Sequence, residues 1–201
     1  MDLSERIARA REEDNEINDL TLEHETLTEI DFSDLEINRL RLSDCRLVSC
    51  SFFRADIYHA VFQNCSLSEV DFRDSFLKDC KMNACRADGA DFRRANLKGA
   101  VFQGCALRYS NFSEAILETS SFSSCNLSEA SLSKVKLRKS SFLGCDLSET
   151  EFFKTPLAGL DLSGCDLSGI LLSSTLSELQ GVKISATQAL TLVEKLGWKI
   201  V

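Results

Sequence analysis

Nine cysteines and two histidines are the side chains best suited to metal or nucleophilic chemistry in this 201-residue chain. Their spacing argues against both uses. The closest cysteine pairs are Cys45 with Cys50 and Cys80 with Cys85, and from Cys85 onward the recurrence is regular, at Cys105, Cys125, Cys145 and Cys165. Neither spacing is that of the Cys-x-x-Cys pairs from which zinc sites usually draw their thiolates. The two histidines, His24 and His59, are distant from each other, and no Gly-rich phosphate loop or nucleophile elbow accompanies them. The expectation is a protein that is not an enzyme, with no metal and no cofactor. The sequons at Asn64, Asn111 and Asn126 read as by-products of a Ser/Asn-rich pattern.

What places the cysteines is a period of five. All nine (Cys45, Cys50, Cys65, Cys80, Cys85, Cys105, Cys125, Cys145 and Cys165) stand at numbers divisible by five, interleaved with Ala, Ser, Thr and Val. Two residues later runs an apolar column. Of its 31 positions from Leu22 to Leu172, thirty are Leu, Phe, Ile or Met, and the exception is Ala87. Ile17 extends it backwards. The other three positions of each unit are mostly Asp, Glu, Ser, Asn, Lys, Arg and Gly, as in Ala90-Asp91-Phe92-Arg93-Arg94. A helix would spread such a column around all its sides, and a strand would alternate it between two faces. A solenoid that turns a corner at every unit points every central residue at its axis. Cys85 through Cys165, and Phe32 through Phe112, recur at every fourth unit, which predicts four units per coil. The cysteines then serve as small apolar wall-fillers.

Repeats of this form, over residues 20–174, resemble the pentapeptide-repeat family. The resemblance implies an all-β fold, a right-handed quadrilateral parallel β-helix, with coils stacked at about 4.8 Å. We divide the chain into a polar cap segment (1–16), the β-helix (17–172) and a C-terminal capping and dimerisation segment (173–201). Within the first, Ser4 is a candidate N-cap for a short helix. Within the last, the column breaks at Ser177. Ala189, Leu192, Val193 and Leu196 then make a helical i, i+3, i+4, i+7 stripe before Gly197. With Trp198 and Ile200, that stripe is the expected homodimer contact.

Two segments narrow the resemblance. Cys85-Arg86-Ala87-Asp88-Gly89-Ala90-Asp91-Phe92-Arg93, and the tail from Leu179-Gln180-Gly181-Val182-Lys183 to Gln188-Ala189 and Leu196-Gly197, are similar to Qnr-type quinolone-resistance proteins. Membership would imply a DNA-mimicking dimer that binds type II topoisomerases (DNA gyrase, topoisomerase IV) and counters fluoroquinolones. The unbroken column leaves no room for the projecting loops of some members, so the chain resembles the loopless ones. The alternative is a β-helical scaffold for an unrelated protein.

Charge bears on the choice. The formal net charge is −8, the sign a phosphate imitation needs. Residues 1–36 hold thirteen acids against three arginines. Sorted by coils of four units, the face centred on Leu27 to Leu167 carries Glu29, Glu69, Asp88, Glu129, Asp146, Glu149 and Asp166 against Arg46, Arg86 and Arg108. This acidic face is the expected partner-binding surface. The face centred on Ile37 to Leu157 is net positive, with Lys136, Arg138 and Lys139 on one coil. Partners among nucleic acids and membranes are not expected. The charged N-terminus lacks a signal-peptide core, which reads as a cytoplasmic protein.

Overall fold

The computed structural model describes residues 3–13 and 15–195. The chain folds as a right-handed quadrilateral parallel β-helix followed by a short C-terminal helix. Every strand pair is parallel and joins equivalent residues of successive coils, as in Ile17↔Ile37, Leu42↔Phe62 and Leu97↔Leu117. Two of the four faces, centred on the Ile17 and Leu22 series, are continuous seven-stranded sheets. The other two, centred on the Leu27 and Phe32 series, are held mainly by single bridges such as Arg86↔Ala106 and Asp91↔Asn111. We number the faces one to four in that order, so the first and third lie opposite each other.

The central column fills the axis. It is buried from Ile17 to Leu167 except at Leu22 and Leu137, which are half-buried with Leu172. Phe32, Phe52, Phe72, Phe92 and Phe112 stack face to face with centroids 4.6–5.0 Å apart. Phe102, Phe122 and Phe142 stack likewise, and Phe102 and Phe122 meet the first series edge-on. The edge-on meetings suit the aromatic quadrupole.

The wall column does more than fill space. Each cysteine thiol donates to the carbonyl of a central residue in the preceding coil, for example Cys85 to Phe62 and Cys125 to Phe102, both 3.4 Å. Ser120, Ser140 and Thr150 make the same bond at 2.9 Å. A small side chain with a weak or strong donor therefore fits, which explains why Cys, Ser and Thr interchange there. All nine thiols are buried and unpaired.

Corners are built by backbone strain. The second residue after each central one has φ in the left-handed region at every unit from Asp19 to Gly159. Most of these residues are not glycine, and each carries a conformational cost. Inter-coil hydrogen bonding over-determines the geometry: most corner amides donate to a carbonyl of the next coil, as Asp34 does to Phe53 at 3.0 Å and Glu129 to Ser148 at 3.0 Å.

Both ends are covered. Helix α1 (Leu3–Glu13) buries Ala10 and packs Leu3 and Ile7 on the core. Ser4 lies inside its first turn, not at its N-cap, because helical backbone already begins at Leu3. Arg6 and Arg11 of α1 donate to the carbonyls of Asn18 (2.9 Å) and Asp31 (3.0 Å) in the first coil. At the other end a 3₁₀ turn (Ser177–Leu179) places Glu178, only 2% exposed, under the last coil. Its carboxylate accepts from the Lys154 amide at 2.9 Å and the Ser173 hydroxyl at 2.7 Å. Burial raises the Glu178 pKa, but these donors outweigh it and leave it below its ordinary value. Helix α2 (Ala186–Lys195) follows. Ser185 and Gln188 form a reciprocal capping box, and the Gln188 amide also donates to the Leu162 and Cys165 carbonyls.

Candidate functional site

Stacking brings equivalent side chains of successive coils into register, and on the fourth face this neutralises most charge. On the fourth face Arg54 grips Asp34 with two bonds of 2.7 Å, and Arg94 grips Asp74 at 2.7 and 2.6 Å. Hydrogen bonding from Arg94 holds the Asp74 carboxyl below the usual carboxylate range. Arg73 and Arg93 interleave with Asp71 and Asp91, and Lys134 reaches Glu114 at 3.0 Å. On the first face Arg39 holds Asp19 at 2.6 Å, and Lys98 lies 4.0 Å from Glu118. Exposed pairs like these add little stability, about 0–1 kcal/mol each. Their effect is to cancel most of the field of the fourth face, while the first keeps its cluster of cations.

The third face differs. The bridges from Arg46 through Ser66, Arg86, Ala106, Asn126 and Asp146 to Asp166 align Glu29, Glu69, Asp88, Glu129, Asp146, Glu149 and Asp166 along one side of the solenoid. Glu29, Glu69, Glu129 and Glu149 occupy left-handed corners, where their side chains point outward. Among the described residues one ion pair is made here: Arg108 to Glu129 at 3.3 Å. Asp88 accepts the Arg108 amide at 3.1 Å. Toward the C-terminal end Asp146, Glu149 and Asp166 have no ion pair among the described residues. Asp146 instead accepts from the amide and hydroxyl of Ser148, at 2.9 and 2.6 Å, and Asp166 from the Ser168 amide at 2.8 Å. Hydrogen bonding from Ser168, its side chain first and its amide second, holds the Asp166 carboxyl below the usual range. On the opposite face Lys136, Arg138 and Lys139 are exposed.

The expected dimer stripe is only partly within the described residues. Ala189, Leu192 and Val193 are half-buried, and Leu192 packs against the last coil; Leu196, Trp198 and Ile200 lie outside the described residues. Leu192 also borders a groove of about 320 Å³ with Phe153, Leu171, Leu172 and Leu176. Phe153 and Leu171 of its lining are exposed, and so is Leu190 elsewhere on α2. Of these, Leu190 is the residue the helical stripe overlooked, since it sits one position off that stripe. His24 and His59 are exposed corner residues on different faces. No group of three or more His, Cys, Asp or Glu among the described residues could hold a metal ion. No helix among them is long and apolar enough to cross a membrane.

Square coils of four short sides, with a stacked apolar axis and a small-residue wall, define a pentapeptide-repeat solenoid. The chain belongs to the pentapeptide-repeat family: a family model described as a pentapeptide repeat region matches residues 15–92, 55–123 and 115–189. No curated protein sequence matches it. Among solved structures it is similar to a trypsin-treated variant of QnrB1, a plasmid-mediated fluoroquinolone resistance protein. That match has 28% identity over 92% of this chain and 96% of that one, at a TM-score of 0.43. Full-length QnrB1 is 21% identical over 90% and 100% of the two chains, at a TM-score of 0.46. HetL, a pentapeptide repeat protein involved in heterocyst differentiation regulation in the cyanobacterium Nostoc, is 20% identical over 92% and 97%, at a TM-score of 0.25.

Proposed function

We propose that this chain is a Qnr-type DNA mimic, which binds type II topoisomerase (DNA gyrase, topoisomerase IV) and protects it from fluoroquinolones. The observation that carries the reading is the third face. Ion-pair ladders cancel the fourth face, whereas Asp146, Glu149 and Asp166 make no ion pair on the third among the described residues. Carboxylates without an ion pair among the described residues, lined up on stacked coils, suit a basic surface that normally receives duplex phosphates. The Cys85–Arg93 segment and the tail motif support the same branch of the family. The protein acts by binding and not by catalysis, since polar groups on a convex rod do not converge on a reacting atom. Dimerisation through the C-terminal segment is part of the proposal. The exposed Phe153 and Leu171 of the Leu192 groove, and the exposed Leu190 on α2, support it.

The test is gyrase supercoiling and fluoroquinolone-induced DNA cleavage, titrated with the wild-type protein and with an Asp146→Asn, Glu149→Lys, Asp166→Asn variant. Asparagine keeps an acceptor for the Ser148 and Ser168 amides, so the fold is retained. Wild-type protein should lower drug-induced cleavage. The variant should need at least about tenfold more protein for the same effect with an unchanged melting temperature. Absence of any effect of the wild-type protein, at any concentration, would favour the scaffold reading. A variant equal to wild type would remove the third face from the interface.

A further inference from the structure

One side chain on the third face departs from the pattern of its position. Corners between Asp19 and Gly169 hold acids, bases, Ser, Asn, Gly and other small or polar residues; Tyr109 is the one Phe, Tyr or Trp among them. Its φ is 59°, a conformation unfavourable for an aromatic residue. The fold does not require a ring there, since Gly89 and Glu129 take the equivalent corners one coil away on either side. Nor is the ring recruited to the core, for Tyr109 is 54% exposed.

It is nevertheless held in place. The Arg108 guanidinium donates to the phenol oxygen at 2.8 Å, and its central carbon lies 5.0 Å from the ring centroid. The same group pairs with Glu129 at 3.3 Å, and the Arg108 amide donates to Asp88 at 3.1 Å. An exposed aromatic, fixed in advance and ringed by carboxylates, has already lost the rotamer freedom that a flexible contact would lose on binding.

We infer that Tyr109 is the anchor by which the third face grips its partner: a basic protein surface that lays an arginine or lysine against the open part of the ring, while Glu129 and Glu149 attract the surrounding cations. A cation over an aromatic face is favoured by the ring quadrupole, more so once water is excluded. The inference rests on the proposed reading of the third face. The two contributions separate kinetically. Acids at the rim set the association rate and its salt dependence, whereas a central aromatic anchor sets the dissociation rate.

The experiment measures binding to intact DNA gyrase by surface plasmon resonance at two salt concentrations, for wild type, Tyr109→Phe, Tyr109→Ala and Tyr109→Glu. Glutamate already occupies the equivalent corner at residue 129, so the last variant is compatible with the fold. Tyr109→Ala and Tyr109→Glu should dissociate at least about tenfold faster with unaltered melting, and the alanine variant should keep the wild-type salt dependence. Tyr109→Phe keeps the ring and should stay near wild type. If wild type binds but the alanine and glutamate variants dissociate at the wild-type rate, the anchor is refuted and topoisomerase binding stands. If wild type does not bind, the anchor and the proposed function fall together.

Discussion

Removing the Glu178 carboxylate tests whether the last coil is closed by a side chain standing in for a missing next coil. At most corners from Asp19 to Glu149 the amide finds a carbonyl in the following coil, such as Asp44 to Gln63 at 2.9 Å and Glu149 to Ser168 at 2.8 Å. Lys154 departs from this pattern and donates to the Glu178 carboxylate at 2.9 Å. Glu178→Ala leaves the Lys154 amide, in a part-buried bond, without this acceptor, while the Ser173 hydroxyl keeps Thr175 as a partner; a donor left without its partner costs about 1–3 kcal/mol. Losing the carboxylate's own desolvation offsets part of this, so the net expectation is about 2 kcal/mol. For a chain of this size that is a fall in Tm of about 4–8 °C, or selective fraying of the last coils if they unfold on their own. Glu178→Gln keeps one acceptor oxygen and should lose less than about 1 kcal/mol. The pH dependence carries a sign. The folded pKa lies below the ordinary 4.5, so this stabilisation is full above the unfolded value and is lost as pH falls through the folded one. The gap between wild type and Glu178→Ala should hold above about pH 5 and narrow in stronger acid. Circular dichroism melts, with hydrogen exchange on the peptide containing Lys154, would measure it. Equal melting and equal exchange protection in Glu178→Ala and wild type would refute the capping role.

Three further expectations concern the core and the corners. Phe92 is fully buried, 4.8 Å from Phe72 and 4.6 Å from Phe112, so Phe92→Ala should cost about 3–5 kcal/mol in a denaturant titration. Gly104 has φ of 61° and open space where a Cβ would stand; Gly104→Thr should cost about 1–2 kcal/mol, purely from backbone conformation. Burial pushes the Cys80 thiol up to about 12, leaving a thiolate fraction of about one in 10⁴ at pH 8. An aromatic disulfide reagent should therefore label Cys80 only when the protein unfolds, and rapid native labelling would contradict its place in the wall.

Much of this architecture was legible because one rule is repeated. A column of Leu and Phe at every fifth position has a single geometric solution, and Ala87 interrupts it without shifting its phase. The nine cysteines were readable as wall residues for the same reason, although their bonds to carbonyls of the coil before were not. The ends follow no rule. Glu178 lies just past the break in the column, where no periodic signal marks it. Ser4 looked like a cap because the first residues of a short polar helix give no reliable boundary. The left-handed corners were hidden too, since Asp, Glu, Arg, His, Lys and Thr share them with glycine, and local propensity gives way to coil-to-coil hydrogen bonding.

The sequence by itself determined the period, the inward residues and the division of charge among four faces, because these depend only on counting positions along the chain. It could not decide which charges remain free. Asp34 and Asp146 are equivalent as letters, yet one is clamped by Arg54 and the other is held by Ser148. That difference arises when coils stack and place each residue against its counterpart one coil on. Tyr109 belongs to the same class: one aromatic among dozens of surface residues until the coil sets Arg108 on its ring and Glu129 one coil on. Pairing is a property of the stack, and so is the field that the third face presents.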